Sequence, residues 1–326
     1  MKGSEGCKME VLTAEEVRKR FGPMFCNEFY TIVDKKIGRA QIIEGCIAKG
    51  PIEWDAVNRK RAGGIVESVE VDGTRLCMNV KIGKERVSFG PSSRDVGAQA
   101  LEGLEVVGDE VETIWLGLAG ASVGIGACLA QAPGVVRAEY DDISHIGGAH
   151  KVRVKIVTKK MIRMLYSIDD TDTKEGGATW ALALKMSREP EISNVGKMLE
   201  HRIVQLNPYV KEKTTNCCAT VVSFAVEEPK KEILTKKVIE YVAKNTFSKE
   251  TCVAYYEGLS IPRELVDFGL AAKNSFLATN LAFQAADKSG AIVKVVTGER
   301  GAIGAVAGLG CFDLGLKAAS LPTDNL

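Results

Sequence analysis

Alternating and continuous apolar stretches divide this sequence into strands and helices. Residues Lys151–Val157 alternate polar with apolar side chains, which is typical of a strand in a sheet with one face in water. A short apolar run leads into Asp169 and predicts a further strand. Asp72-Gly73 separates two alternating segments and predicts a tight hairpin. The other predicted strands are Gln41–Ile47, Gly64–Val71, Arg75–Ile82, Val111–Leu118, Val135–Tyr140, His150–Thr158, His201–Leu206, Cys217–Val226, Glu250–Tyr256 and Ile292–Val296.

Helices are predicted where helix-forming residues follow a capping signal. Thr13 and Glu16 have the spacing of a capping box, and Pro229 is suited to the first turn of a helix. Together with the strands, these segments predict an α+β fold. The predicted helices are Thr13–Arg20, Asp95–Leu104, Ser122–Gln131, Lys231–Lys244, Arg263–Ala272 and Ser275–Ala286, with two more after Gly177 and Gly301.

The composition is that of an ordinary globular protein. The chain has 326 residues, which suggests two or three domains, and it is 45% hydrophobic and 26% charged. The formal net charge is +1, so charge alone gives no argument for a nucleic-acid, membrane or acidic partner.

The nine cysteines form no Cys-x-x-Cys pair, and the first residues lack the apolar core of a secretory signal. These features favour a reducing cytoplasm with free thiols, and no membrane partner is expected.

Three stretches suggest chemistry but have simpler explanations. Gly124-Ile-Gly126 begins like a dinucleotide-binding loop, but Leu129 stands where the last glycine should be, so close helix packing is favoured. Asp141–His150 contains possible metal ligands or a general base, although a polar turn is the favoured interpretation. Cys217-Cys218 is expected to be two small buried thiols, because adjacent side chains of a strand face opposite sides.

The most informative stretch is an acidic loop between a strand and a helix. Asp169, Asp170 and Asp172 follow the strand, and Gly176-Gly177 precedes the helix. Clustered carboxylates are hard oxygen ligands of the kind that Mg²⁺ prefers, and the free N–H groups of a helix start suit a phosphate. The alternative is structural, since these aspartates could cap turns or a helix.

A second strand–loop–helix unit lies near the end of the chain. Thr297–Gly301 follows an apolar strand and precedes an Ala/Gly-rich helix that reaches Gly310. The backbone of this loop and the Arg300 guanidinium could bind a phosphate. A tight turn with a surface-paired arginine is an equally good explanation.

Four motifs together resemble the archaeal tRNA-isoleucine agmatinylcytidine synthetase family, TiaS. The acidic loop with Gly176 and Thr179 resembles the nucleotide motif of that family, and the other three motifs follow in the same order over about residues 160–311. The N-terminal half and the early end of the chain resemble a TiaS-related family, methanogenesis marker protein 11. The three later motifs are Arg202–Pro208, Lys213-Thr214 and Gly298–Ala305.

This resemblance implies an Mg–ATP site in the second half of the chain. It implies that Asp169, Asp170 and Asp172 hold Mg²⁺, and that Asp170, Thr179 and Lys213 are catalytic, with Thr179 as a candidate phosphoryl acceptor. The residues that it implies for binding the nucleotide are Gly176, Gly177, Asn207, Arg300 and Gly301.

The chain also departs from the TiaS pattern. Thr215–Cys218 replaces the Arg-Gly-Asn-Gly that follows Lys-Thr in that family, and the tRNA-handling C-terminal modules have no counterpart here. The expected function is therefore an Mg–ATP-dependent phosphotransferase or ligase-like enzyme with an unknown small-molecule or protein acceptor. Two alternatives are a tRNA-modifying enzyme that acts on a cytidine, with tRNA not favoured, and a nucleotide-gated assembly factor without turnover.

The expected organisation has three parts. Residues 1–160 form an N-terminal α+β domain of unknown role, 161–260 a TiaS-like nucleotide-binding α/β domain, and 261–326 a ferredoxin-like continuation with the glycine loop. The sequence does not indicate an oligomeric state.

Overall fold

The structure is a computed structural model, and it describes residues 9–90, 96–214 and 216–324. The chain divides into two units, Met1–Met161 and Ile162–Leu326. Each unit combines helices with strands, so the expected α+β class is confirmed. Within the described ranges, no helix combines the length and the apolar character that crossing a membrane requires.

The first unit is built mainly from antiparallel strands. Thr13 forms a complete capping box with Glu16, which fixes the start of the first helix as the sequence predicts. The strands and helices are β1 (Glu10–Thr13), α1 (Ala14–Phe21), β2 (Cys26–Asp34), β3 (Arg39–Cys46), α2 (Lys49–Arg61), β4 (Val66–Asp72), β5 (Arg75–Lys81), β6 (Gly83–Lys84), β7 (Ala98–Val107), β8 (Glu110–Leu118), β9 (Val135–Tyr140) and β10 (Lys151–Asp169).

Two strand series form the sheet structure of this unit. In one series β4, β5, β3 and β2 pair in that order, and in the other β10, β8, β7 and β6 pair in that order. The hairpin predicted at Asp72-Gly73 is present: Asp72 pairs with Arg75, and Gly73 has φ +58°. A core that includes Trp115 and Phe29 fills the unit. The buried Arg59 of α2 is paired with Glu44 of β3 inside it.

The second unit is a sheet covered by helices on both faces. Its strand order is β11–β12–β10–β13–β14, and residues Met164–Asp169 of β10 pair antiparallel with β13. One face buries a core with α3 and α5, and the other a core with α6, α7 and α8. The elements are α3 (Thr179–Arg188), α4 (Pro190–Ser193), β11 (Gly196–Gln205), β12 (Cys218–Glu227), α5 (Lys231–Asn245), β13 (Cys252–Glu257), α6 (Arg263–Asn274), α7 (Thr279–Ser289), β14 (Ile292–Val295), α8 (Ala302–Cys311) and α9 (Leu316–Ala319).

Several sequence-based assignments were wrong. The range predicted as a helix, Asp95–Leu104, forms strand β7 from Ala98 onward; Val96 and Gly97 precede the strand, and Asp95 lies outside the described residues. Pairing with β8 along its length overrides the helix propensity of its Ala, Leu and Glu residues. The helix predicted at Ser122–Gln131 consists of short 3₁₀ and π turns. Strand β2 and helix α2 were not predicted, and the two strands predicted between His150 and Asp169 are one strand, β10.

Candidate functional site

The acidic loop begins where β10 ends, and the neighbouring strand holds its backbone in place. Asp169 is the last residue of β10 and pairs with Cys252 of β13. Asp170 adopts φ +56°, a left-handed conformation that few residues other than glycine adopt. Its carbonyl oxygen accepts a hydrogen bond from Thr251 Oγ1 at 2.6 Å, and the Thr171 carbonyl accepts one from Phe247 N at 2.9 Å. These bonds fix the direction in which the three aspartates leave the strand.

The rest of the loop turns back toward the helix. Thr173 N donates to the Gly176 carbonyl at 2.8 Å, which closes a tight turn. Gly177 has φ +93°, and a Cβ at this residue would stand 3.0 Å from Asp172 Cβ. Glycine is therefore required here for conformational and steric reasons. The turn delivers the chain to Thr179, the first residue of α3.

Asp172 is the centre of a hydroxyl network. Its Oδ1 accepts a hydrogen bond from Thr179 Oγ1 at 3.0 Å, and its Oδ2 accepts one from Thr214 Oγ1 at 2.9 Å. Thr179 Oγ1 also accepts from Thr171 Oγ1 at 3.0 Å. Asp172 and Glu175 have the spacing of a capping box, but they do not cap α3, because this helix begins only at Thr179. Thr179 thus has its hydroxyl proton directed at a carboxylate, the arrangement of a nucleophile beside a base.

Asp170 is paired with the arginine of the distant glycine loop. Arg300 Nε donates to Asp170 Oδ2 at 3.0 Å, so the two strand–loop–helix units of the sequence meet at one place. Burial raises the pKa of the Asp170 carboxyl, and the hydrogen bond and charge of Arg300 oppose that rise. Arg300 N in turn donates to Glu250 Oε2 at 3.3 Å.

Asp169 lies deepest of the three aspartates. Its Oδ2 lies so close to Gly304 that a Cβ there would stand 1.8 Å away. Burial raises the pKa of Asp169 well above its ordinary value, and the charge of Asp170 raises it further. Among the described residues, Asp170 has an ion-pair partner and Asp172 accepts two hydroxyl hydrogen bonds, whereas Asp169 has no ion-pair partner and is the most deeply buried, so it has the most to gain from a bound cation.

These groups face a cavity of about 510 Å³. The N-terminal ends of three helices contribute to its wall: Ala178 and Thr179 at α3, Ala278 and Thr279 at α7, and Arg300, Ile303 and Gly304 at α8. None of the three helices has a hydrogen bond from a capping side chain at its start. The remaining wall residues are Asp169, Asp170, Asp172, Gly177, Trp180, Leu206, Val210, Glu212, Lys213, Thr214, Asn216, Cys217, Cys218, Thr220, Ala272, Ser275, Phe276 and Leu277.

Most residues that the sequence singled out lie on the cavity wall. The seven that do are Asp169, Asp170, Asp172, Gly177, Thr179, Lys213 and Arg300.

Gly176, Asn207 and Gly301 are not wall residues. Asn207 is buried, and its Oδ1 accepts from Tyr209 N at 3.0 Å, so it stabilises a turn. Gly301 N donates to the Glu250 carbonyl at 2.9 Å, which anchors the glycine loop to the segment that leads into β13.

The expectation for the adjacent cysteines was wrong. Strand β12 starts at Cys218, and Cys217 precedes it with φ +53°, so both residues line the cavity and neither is fully buried. Burial raises the pKa of Cys217 to about 12 and that of Cys218 to about 11. Cys218 Sγ donates to Gln205 Oε1 at 3.2 Å. The two residues therefore present neutral thiols to any bound molecule.

Sequence reasoning missed most of the apolar part of the wall and several polar residues. Phe276 and Leu277 add apolar side chains to a wall that also carries the aspartates, and no motif marks them. Leu206 adds a third from within the Arg202–Pro208 motif. Thr220 contributes a buried hydroxyl from the interior of β12. Only the three-dimensional arrangement identifies these residues, since each resembles ordinary core sequence.

A metal site made by protein side chains alone is not present in the described parts of the chain. Across 9–90, 96–214 and 216–324, no three His, Cys, Asp or Glu residues are grouped so that they could hold an ion. Asp170 is engaged by Arg300 and Asp172 by two threonines, which leaves Asp169. Mg²⁺ is usually bound by one or two carboxylates together with water and substrate phosphates. The residues fit an ion that arrives with a nucleotide.

The stretch around His145 forms a polar turn. Asp142 Oδ1 accepts from Ser144 N at 2.9 Å, and Asp142 Oδ2 lies 2.9 Å from His145 Nδ1. The favoured interpretation of this stretch agrees with these contacts.

Known proteins resemble the chain in two ways. The uncharacterized protein MJ0921 of Methanocaldococcus jannaschii is 33% identical over 279 residues, which cover 86% of this chain and 91% of that protein. A family model described as the TiaS TCKD domain matches residues 165–255. This range includes the acidic loop, α3 and strands β11 and β12.

The second resemblance is to tRNA 2-agmatinylcytidine synthetases named TiaS. The synthetase of Pyrococcus horikoshii is 31% identical over 149 residues, and that of Thermococcus sibiricus is 32% identical over 155 residues. The matches cover 44% and 46% of this chain but only 34% and 35% of those proteins. Part of the chain is thus related to TiaS, and the chain spans about a third of the length of these synthetases.

A solved structure gives the same partial coverage. The crystal structure of TiaS in complex with an isoleucine tRNA and ATP is 25% identical with a TM-score of 0.41, over 46% of this chain and 36% of that one.

Proposed function

The chain belongs to the same family as the uncharacterized protein MJ0921, and from that premise we propose that it is an ATP-using enzyme that modifies RNA. In this proposal the cavity of the second unit binds Mg–ATP, and an unpaired tRNA base is presented at its mouth. The sequence alone had favoured a non-RNA acceptor. The relatives named tRNA 2-agmatinylcytidine synthetase favour the RNA acceptor instead. Membership of the methanogenesis marker protein 11 family also remains a proposal.

The convergence of three helix N-termini on one cavity is the observation that carries the nucleotide proposal. Free N–H groups and the positive ends of the helix dipoles favour a bound anion. Lys213 and Arg300 add two cationic side chains to the same wall. Lys213 has no ion-pair partner in the described segments, and Arg300 is shared with Asp170. The free N–H groups and the two cationic side chains suit a polyphosphate, and a cation that arrives with it would offset the carboxylates of the wall. The apolar side chains of Leu206 and Leu277 suit a base.

The aspartates complete the polyphosphate site. We propose that Asp169, Asp170 and Asp172 would hold Mg²⁺, directly or through water. When bound, the ion would neutralise charge that develops on the phosphates. Gly177 lets the loop fold back toward α3, and Arg300 holds Asp170 in place. Asn207 and Gly301 act indirectly in this proposal, since they shape the turns behind the wall.

Thr179 is the proposed phosphoryl acceptor. Its Oγ1 would attack the γ-phosphorus of ATP while the bond from that phosphorus to the β-phosphate oxygen breaks and ADP leaves. The hydroxyl proton would pass to Asp172 Oδ1, which already accepts its hydrogen bond at 3.0 Å. The phosphoryl group would then be available to activate the acceptor.

Exposed aromatic residues near the cavity support an RNA acceptor. Trp180 and Phe276 line the wall, and the Phe247 ring lies beside the wall residue Gly177. Tyr209 is next to the wall residue Val210. All four side chains are at least half exposed. Unpaired bases stack on such rings. Lys211 and Lys213, which follow Tyr209 in the chain, would contact the phosphates of the RNA.

The test is incubation of the full chain with Mg–ATP, with and without tRNA, followed by nucleotide analysis and mass spectrometry of the Thr179 peptide. We expect ADP, a phosphorylated Thr179, and faster ATP consumption when tRNA is added. Asp172→Asn should abolish phosphorylation, whereas Asp267→Asn, on the exposed face of α6, should not. Release of AMP would contradict the role of Thr179. Absence of nucleotide turnover and of Thr179 modification would overturn the proposal.

A second candidate is a phosphotransferase with a small-molecule or protein acceptor. One observation favours it: Asn216, Cys217 and Cys218 occupy the cavity wall where the TiaS pattern has glycines and an asparagine. Asn216 and Cys218 thus add side chains at two positions where that pattern has glycine. ATP turnover that ignores tRNA but responds to cell extract depleted of RNA would support this candidate over the first.

A further inference from the structure

Thr220 has a hydroxyl group that the described structure leaves without a partner. The residue is 1% exposed, and its Oγ1 is buried with no hydrogen bond to any described residue. It lies within β12, where it pairs with Ile203 of β11. A buried hydroxyl without a partner costs about 1–3 kcal/mol, so native proteins rarely keep one without a reason. Thr220 also lines the cavity, so a bound molecule can supply the missing partner.

The other hydroxyl groups of this region show why Thr220 is unusual. Thr179 and Thr214 also line the cavity, but both donate to Asp172. Ser167 is as buried and as unpartnered as Thr220, but it is not a wall residue, and its Oγ packs against Gly308. Thr220 is therefore the wall threonine that combines burial, an unpaired hydroxyl and access to a ligand.

The surroundings of Thr220 indicate what kind of partner it would take. The wall that it shares includes the start of α3, where Ala178 provides no capping side chain and the first N–H groups are free donors. Cys218, two positions before it, already donates its thiol proton to Gln205. A hydroxyl donor beside free N–H donors requires an oxygen that accepts several hydrogen bonds. A phosphate oxygen meets that requirement best, because it is charged and accepts several hydrogen bonds, whereas each acceptor atom of a base or a ribose is neutral and accepts fewer.

We propose that Thr220 is a positioning residue that donates a hydrogen bond to a phosphate oxygen of the nucleotide held at the start of α3. This inference rests on the proposed nucleotide site and adds a residue to it. The unpaired hydroxyl is then an unsatisfied donor of the empty protein that the ligand satisfies. The Thr220 hydroxyl therefore lowers the stability of the protein when no ligand is bound, and it raises the affinity for the nucleotide.

The experiment compares Thr220→Val, Thr220→Ser and the matched control Ser167→Ala by calorimetric titration and thermal melting of the full chain. The three probes are ATP, inorganic triphosphate and adenosine. Thr220→Val should weaken ATP and triphosphate binding about tenfold or more and leave adenosine binding unchanged. Its melting temperature without ligand should equal or exceed that of the wild type. Thr220→Ser should restore binding, and Ser167→Ala should leave all three affinities unchanged.

Each outcome has one meaning. Wild-type affinity for ATP in Thr220→Val overturns the inference and leaves the nucleotide site standing. Equal losses for adenosine and triphosphate also overturn it, because they indicate general damage. Binding of triphosphate but not ATP, with loss in Thr220→Val, supports Thr220 and contradicts the proposed function. Failure of the wild type to bind either phosphate probe overturns both. If Thr220→Val does not fold, Thr220→Ala replaces it under the same criteria.

Discussion

Oδ2 of Asp169 lies against Gly304 so closely that a methyl group on residue 304 would stand 1.8 Å from it. This contact joins the end of β10 to the first turn of α8. It explains why the helix is rich in glycine, since Gly308 lies similarly close to Ser167 Oγ, at 2.2 Å from the position of a Cβ. The cavity exists in its present form because the backbone of α8 can approach a carboxylate directly.

Gly304→Ala should therefore disrupt the site. The added methyl group must displace Asp169 or the helix, and such overpacking costs about 1–3 kcal/mol. We expect a lower melting temperature and loss of most ATP affinity, measured by thermal melting and calorimetry. Gly176→Ala is the matched control, because a Cβ there meets nothing within 4 Å and the residue does not line the cavity. If Gly176→Ala lowers the melting temperature and the ATP affinity as much as Gly304→Ala does, the contact between Asp169 and Gly304 does not have the role proposed for it.

Phosphoryl transfer should require both the Thr179 hydroxyl and the Asp172 carboxylate. Thr179→Val keeps the shape of the side chain but removes the hydroxyl, which leaves Asp172 with one donor fewer and costs about 1–3 kcal/mol. We expect no covalent phosphorylation in this variant by intact-mass measurement. Thr179→Ser should retain phosphorylation at a reduced rate. A phosphorylated Thr179→Val protein would show that another residue is the acceptor.

Arg300 should matter for nucleotide binding more than for stability. Its side chain is partly exposed, and pairs of this kind contribute little to folding. Arg300→Met removes a cation from the cavity and releases Asp170, so repulsion of the phosphates increases. We expect ATP affinity to fall about tenfold or more, with little change in melting temperature. Arg263→Met, which breaks an exposed pair with Asp267 on α6, should change neither.

Arg59 should be essential for the folding of the first unit. Its guanidinium is fully buried, pairs with Glu44 and with Asp55 at 3.0 Å, and donates to Gln99 Oε1 at 2.9 Å. Arg59→Met leaves the Glu44 carboxylate buried without a cation, which costs about 3–5 kcal/mol. We expect a marked loss in denaturant midpoint or insoluble protein. Lys19→Met, which removes an exposed pair with Glu15, should leave the midpoint unchanged.

Asp55 should give the first unit a specific pH dependence. Burial raises the pKa of Asp55 to about 7 from an ordinary value of 3.8, and the charge of Glu44 adds to the rise that Arg59 opposes. A carboxyl whose pKa is raised by folding contributes stability that is complete below about pH 4 and is lost as the pH rises through about 7.

The check is the stability of the wild type relative to Asp55→Asn between pH 4.5 and 7.5, roughly the window between the two pKa values. The free energy of unfolding of the wild type should fall relative to that of Asp55→Asn as the pH rises. Thr74→Ser, which removes no titratable group and lies in the same exposed hairpin as Asp72, should run parallel to the wild type. A constant difference for Asp55→Asn across the window would show that this carboxyl does not titrate there.

Local signals in the sequence were sufficient for several elements. The capping box of Thr13 and Glu16, the hairpin at Gly73 and the Ala/Gly helix α8 each depend on residues within a few positions of one another. The acidic loop was also recognisable, since three carboxylates between a strand and two glycines are visible without knowing the fold. The same local logic failed for β7, whose alanines and leucines favour a helix until β8 pairs with them.

What only the tertiary structure decided is which distant residues meet. The pairing of Asp170 with Arg300 joins positions 130 residues apart, and no spacing rule predicts it. Thr220 is one threonine among many in the sequence, and its unpaired hydroxyl becomes visible only when the atoms around it are known. Burial and hydrogen-bond satisfaction depend on the whole packed unit. The sequence by itself could therefore identify the acidic loop, whereas the cavity and its partners required the fold.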